Sequence, residues 1–159
     1  PLRLKQLVDS PLFLFTTGNA NLNPPKSIGI VGTRKPTKNG MQLTQQIIKE
    51  LTGANVQIIS GLAYGIDGVA HQSALESNIP TVGVLAHGLD TIYPKTHTEI
   101  ARKMIKSNGA VISEMPSGTE IHPDLFPRRN RIVAGMCDAL LVVESAASCS
   151  VKPMNSRIL

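Results

Sequence analysis

The run Ser27-Ile28-Gly29-Ile30-Val31-Gly32 gives way at once to the basic, turn-forming segment Thr33-Arg34-Lys35-Pro36-Thr37-Lys38. An uncharged run rich in β-branched residues suits a strand covered on both faces, and parallel sheets are the ones covered in that way. Runs of the same kind return at residues 56–61 (VQIISG), 81–86 (TVGVLA), 110–115 (AVISEM) and 139–145 (ALLVVES), their starts 25–29 residues apart. That interval is close to one βα unit. Helical spacing fills the gaps. Leu43, Ile47, Ile48 and Leu51 mark 40–52, and Ile66, Val69, Ala70 and Ala74 mark 66–78. Ile100, Met104 and Ile105 mark 98–107, and a short last helix is expected over 130–136.

Strands alternating with helices predict an α/β fold: a doubly wound, mostly parallel sheet of the extended Rossmann-like kind, with helices on both faces. Ahead of it, residues 4–8 suit a helical turn and 12–17 an edge strand. The expected organisation is an N-terminal extension with that edge strand over 1–26, a Rossmann-like binding domain over 27–145 and an irregular tail over 146–159.

The 159 residues suit one domain, and 42% apolar residues suffice for a core. With 3% aromatics and no Trp, that core is built from Ile, Leu, Val and Ala. The net charge of +5 favours acidic partners, nucleic acid first, although a merely basic soluble protein fits as well. Two cysteines, Cys137 and Cys149, with no metal-ligand spacing around them, read as reduced and structural. No apolar run reaches the ~18 residues of a membrane span, so no membrane partner and a cytoplasmic setting are expected.

Ligands of open α/β sheets gather beyond the carboxyl ends of the strands. The loops expected there carry Gly32, Arg34, Lys35 and Lys38, then Ser60 and Gly61, with Asp67 and His71 on the helix that follows. Gly32 and Gly61 let the backbone turn, Ser60 has a hydroxyl to donate, and the next helix offers unpaired N–H groups to phosphate. Arg128, Arg129 and Arg131 crowd the start of the last helix, where cations are disfavoured unless an anion joins them. Asp67 suits a helix start, and His71 a packing role. The pattern around Gly32 is neither GxGxxG nor a P-loop, and 53–59 holds no ribose-binding acid, so no dinucleotide cofactor is expected. No nucleophile, base and acid come together, and the histidines lack metal spacing. Catalytic residues, metals and cofactors are therefore all expected to be absent.

VGTRKPT, SGLAYGID with AH, VLAHGLDTIYP, ISEMPSGT, FPRRNRIVAG and LLVVES occur in this order. Together they resemble the DprA/Smf family, DNA-processing proteins of natural transformation, over residues 27–145. The resemblance implies a non-catalytic domain that binds single-stranded DNA in a basic pocket, dimerises, and helps load a RecA-type recombinase for DNA recombination. Carried onto this sequence, it implies backbone contacts from Gly32 and Arg34, from Ser60 and Gly61, and from Arg128, Asn130 and Arg131. It also implies that the sheet continues past Ser145, so that the chain reads as a C-terminally truncated domain. Phe126, Tyr93 and Tyr64 are the aromatics placed to stack on bases, with a loop-anchoring role for Phe126 as the alternative.

Two other readings compete. Pro116-Ser117-Gly118-Thr119-Glu120 resembles at a glance the PGGxGTxxE loop of LOG-like phosphoribohydrolases, enzymes acting on nucleoside monophosphates, but lacks the doubled glycine. A nucleotide-sensing module without DNA activity is the third.

Overall fold

The structure, a computed structural model, describes residues 1–145. The expected tail over 146–159, and Cys149 within it, lie outside the described residues. In chain order the elements are β1 (Phe15–Gly18), β2 (Lys26–Gly32), α1 (Lys38–Glu50), β3 (Val56–Ser60), α2 (Ile66–Glu76), β4 (Thr81–Val84), α3 (Thr98–Lys106), β5 (Ala110–Ser113), α4 (Leu125–Gly135) and β6 (Ala139–Val143). Short 3₁₀ turns occupy Arg3–Gln6 and Lys95–His97. The strands form one sheet in the order β1-β5-β4-β3-β2-β6. β2 to β6 are parallel, and β1 lies antiparallel along β5 with Phe15 opposite Ser113.

All five apolar runs become strands, and every strand but β2 stops before its run does. Burial continues past the ladder into the loops, where Gly61, Leu62, Leu85 and Ala86 are covered, so the length of an apolar run overstates the length of the strand. α4 begins at Leu125 rather than near residue 130. Pro127 falls in its first turn, where a missing N–H costs nothing.

The chain steps outward from β2 through β3 and β4 to β5, then returns to place β6 on the other side of β2. Right-handed crossovers put helices from opposite steps on opposite faces. Ile48 of α1 and Ile66, Ala70 and Ala74 of α2 accordingly pack on Ile30, Ile58 and Val143. Ala101 and Met104 of α3 pack with Leu62 and Val111. On the other face Ile132, Val133 and Met136 of α4 pack on Ile59, Val82, Val84 and Ile112. Neighbours Ile58 and Ile59 thus serve opposite layers, as the period of two requires.

The N-terminal segment belongs to the α4 layer. Leu4 is buried there with Leu7 against it, and Arg3 grips Asp138 with two hydrogen bonds of 2.8 and 2.9 Å. Cys137 is half-buried in this layer, and burial pushes its thiol up.

His71 lies wholly inside, on the α2 side. Thr81 donates its hydroxyl to the Ile58 carbonyl at 3.0 Å, so His71 Nδ1, 2.7 Å away, is the donor of their bond and Nε2 is the unprotonated nitrogen. Nε2 has no hydrogen-bond partner. Burial pushes the imidazole down to about 3, with the positive charges of His97 and Arg129 adding to the effect.

Below pH 6.5 the unfolded chain therefore takes up a proton on His71 that the folded chain refuses until about 3. Stability is complete above 6.5 and drains away as the pH falls through that window, by up to about 1.4 kcal/mol per pH unit. Urea unfolding at pH 6.5 and 4.5 is expected to differ by about 2–3 kcal/mol from this group, and His71→Gln is expected to flatten that part of the profile.

Candidate nucleic-acid interface

β2 has β3 on one side and β6 on the other, so the strand order reverses at β2. The crevice beyond its carboxyl end is where such sheets take ligands. Arg34 and Lys35 stand exposed in the loop after β2, Lys38 opens α1, and Arg128 is exposed on α4. Among the described residues none of these four has a carboxylate partner.

Aromatic rings run between these cations. The Arg34 guanidinium lies 5.3 Å from the centroid of the Phe126 ring. Phe126 meets Tyr93 at 6.0 Å, Tyr93 meets Tyr64 at 6.2 Å, and Tyr64 meets His97 at 5.9 Å, all edge to face. Tyr64 is 45% and Tyr93 39% exposed, so the strip is open to solvent. His97 Nδ1 hydrogen-bonds the Leu62 carbonyl at 3.0 Å, which fixes the end of the strip on the loop after β3. The loops after β2, β3 and β4 and the start of α4 thus meet through rings.

The arginine trio does not act as one cluster. At 100° per residue, Arg129 and Arg131 point about 100° and 300° around the helix from Arg128. Arg128 faces solvent, Arg129 is 6% exposed, and Arg131 is largely covered. Arg129 donates to the carbonyl oxygens of Gly61 and Val84, which close β3 and β4, and through Nε to Asn130 Oδ1 at 3.2 Å. Gly61 leaves room for it, since a Cβ there would lie 2.5 Å from the guanidinium carbon. Arg131 pairs with Asp9 at 3.0 Å and Glu114 at 2.5 Å, binding the N-terminal segment to the end of β5. Arg129 and Arg131 therefore leave the candidate interface and become ties of the fold. Asn130 remains at the surface, held by Arg129.

Ser60 and Gly61 are also turned inward. Ser60 is buried and donates its hydroxyl to the Ile30 carbonyl at 2.5 Å. The Gly61 N–H is taken by the Asp67 carboxylate at 3.1 Å, which also accepts from Ala63 at 3.4 Å. Gly32 ends β2 with Val143 and Ile66 packed against it, leaving no space for a side chain. These residues shape the loops, and the Ser60 hydroxyl and the Gly61 N–H are already taken within the protein.

Asp67 is thus more than a helix-start acid. Burial pushes its carboxyl up, opposed by the positive charge of Arg129 and the two N–H groups. Burial likewise pulls Arg129 down, opposed by Asp67, from a value so high that the guanidinium keeps its proton.

Two residues of the site escaped the sequence reading. One is His97 at the end of the aromatic strip. The other is Glu144, directly after β6, whose carboxylate accepts the Thr37 N–H at 2.8 Å and the Thr37 hydroxyl at the start of α1. LLVVES was visible as a motif, but nothing local to it points toward Thr37. Ser113 and His87 do meet, through the Ser113 hydroxyl and the His87 carbonyl at 2.7 Å, so the imidazole does not activate that hydroxyl.

Comparison with known proteins bears on the family and the fold. Residues 1–150 match the family described as DNA recombination-mediator protein A. DNA processing protein DprA of Bacillus subtilis (strain 168) is 39% identical over 145 residues, 91% of this chain and 48% of that protein. Protein Smf of Escherichia coli (strain K12) is 38% identical over 146 residues, 92% of this chain and 39% of that one. The chain thus spans about half the length, or less, of these curated relatives. DNA processing protein A from Streptococcus pneumoniae superposes with a TM-score of 0.86 at 35% identity, covering 93% of this chain and 52% of that one. The counterpart from Helicobacter pylori, described for its single-stranded DNA binding mode, gives 0.84 at 28% identity, covering 93% of this chain and 68% of that one.

Urea unfolding separates the two kinds of arginine. Arg129→Met leaves Asp67 buried without its counter-charge and two strand-end carbonyls without donors, and is expected to cost about 3–5 kcal/mol. Arg128→Ala is expected to stay within about 0.5 kcal/mol of the parent. Equal midpoints for the two variants would remove Arg129 from its assigned role.

Proposed function

This chain belongs to the DprA/Smf family, and from that premise we propose that its domain binds single-stranded DNA along the rim formed by Arg34, Lys35, Lys38 and Arg128 with Phe126, Tyr93 and Tyr64. The observation that carries the proposal is the alternation at that rim. Among the described residues, cations without a carboxylate partner stand beside the rings, with Arg34 directly over Phe126. Arg and Lys neutralise phosphates and release counterions on any sequence. Rings offer faces on which unpaired bases stack, which a duplex keeps occupied internally. The combination favours single strands over double strands and shows no sequence readout.

The proposal extends to the whole protein of which relatives show the length: a homodimer in the cytoplasm, handing the bound strand to a RecA-type recombinase during DNA processing and natural transformation. The family's description as a recombination mediator supports this extension. The role is binding, with no chemical step and no cofactor. A mononucleotide-cleaving reading finds little support in the loop over 116–120, where the Gly118 N–H donates to Asp90 at 2.9 Å.

Fluorescence anisotropy with labelled oligonucleotides over a range of salt concentrations tests the rim. Arg34→Ala and Arg128→Ala are each expected to weaken binding on every sequence and to lower the salt slope by about 0.7. Tyr64→Ala or Tyr93→Ala is expected to cost about 1–3 kcal/mol on single strands and to narrow the preference over duplex. Wild-type affinity in all four variants sinks the proposal.

A further inference from the structure

We propose that Glu144 is a built-in anion that closes the amino end of α1 to phosphate, and that it thereby excludes mononucleotides and inorganic phosphate from this helix end. In doubly wound sheets the turn from the first parallel strand into its helix is where nucleotide phosphates sit, on unpaired N–H groups at the positive end of the helix dipole. Here that turn joins β2 to α1, a helix of 13 residues, and a carboxylate of the chain itself occupies its end.

Three features build this arrangement. Glu144 has φ of 50°, a left-handed conformation uncommon outside glycine, so the chain turns sharply as it leaves β6. Its carbonyl accepts the Thr33 N–H at 2.9 Å, fixing it beside the turn. Its carboxylate takes the Thr37 N–H and hydroxyl and lies against Gly40, where a Cβ would stand 2.5 Å from the carboxyl carbon and one oxygen. Glycine inside a helix costs about 1 kcal/mol relative to alanine. At position 40 it makes the cradle into which the carboxylate fits. Thr37 and Gly40 hold the Glu144 carboxyl below the usual carboxylate range, so it stays ionised.

A phosphate arriving at α1 would have to displace a carboxylate already hydrogen-bonded there, or approach it against like charge. Lys35 and Lys38 flank the position, so the turn holds the makings of an anion site apart from its own plug. A compact, doubly charged phosphate needs that end of the helix. A polymer of singly charged phosphodiesters met by side chains does not. Glu144 is accordingly a specificity-determining residue that acts by exclusion. The inference concerns α1 alone and holds whether or not the rim binds a strand.

The test is calorimetric titration of the folded domain with inorganic phosphate and with adenosine monophosphate, at ionic strength matched with chloride. Wild type is expected to show no phosphate-specific binding. Glu144→Ala is expected to bind inorganic phosphate roughly tenfold or more tightly than wild type. Glu144→Gln, which keeps the shape but not the charge, is expected to show a smaller gain and carries the comparison if the alanine variant does not fold. A folded Glu144→Ala variant with no gain overturns the proposal. Phosphate-specific binding by wild type as tight as in the variants overturns it whatever the other results.

Discussion

A single guanidinium group joins the two faces of this sheet. Arg129 arises from α4, on one layer, and reaches over the carboxyl edge to the carbonyls that end β3 and β4, with Asp67 of α2 from the other layer as its counter-charge. Burying an ion costs several kcal/mol, recovered only where opposite charge and hydrogen bonds surround it. Strand-end carbonyls, a carboxylate and a glycine-sized gap at Gly61 supply those conditions together. The position of α4 follows from the tie, and with it the placing of Arg128 and Phe126 opposite the loop of Arg34. An apolar side chain would fill the space but would leave Gly61 O and Val84 O without their donor and Asp67 without its counter-charge.

The same edge of the sheet shows a second economy. Both βα turns that a Rossmann-like fold commonly offers to phosphate are satisfied from within, one by Asp67 and the other by Glu144. Backbone N–H groups are rigid and close to the sheet, and they suit a small ligand in a fixed pose. Side chains standing off the surface suit a flexible polyanion that is held at several points, none of them exacting. In the proposed function, anion contact falls to the side chains of Arg34, Lys35, Lys38 and Arg128, with the aromatic strip alongside them.

What could be read from the linear chain was whatever depends on near neighbours. Buried strands announce themselves because a continuous apolar run has no polar face to show, and the runs opening at Ser27, Val56, Thr81, Ala110 and Ala139 all proved to be strands. The edge placement of β1, the helix periods and the basic loop after β2 were legible for the same reason. Arg34, Lys35, Lys38 and Arg128 stayed on the surface because the loop after β2 and the outer side of α4 have nothing packed over them. The aromatics Phe126, Tyr93 and Tyr64 were recognisable as candidates, although their contact with one another was not.

The remainder required the fold. Arg128, Arg129 and Arg131 are neighbours in sequence, yet a helix turns them to three directions, and which one goes inside depends on where α4 starts and which face meets the sheet. Ser60 and Gly61 look like phosphate ligands until Ile30, Arg129 and Asp67 take up their hydrogen bonds from elsewhere in the chain. Glu144 finds Thr37 across 107 positions, a pairing that exists because β6 lies beside β2. Local composition determined the elements and the basic character of one rim. Tertiary structure decided which polar groups were already spent on the protein itself, because a hydrogen bond or an ion pair is claimed by proximity in space, and proximity in space is what a linear chain does not record.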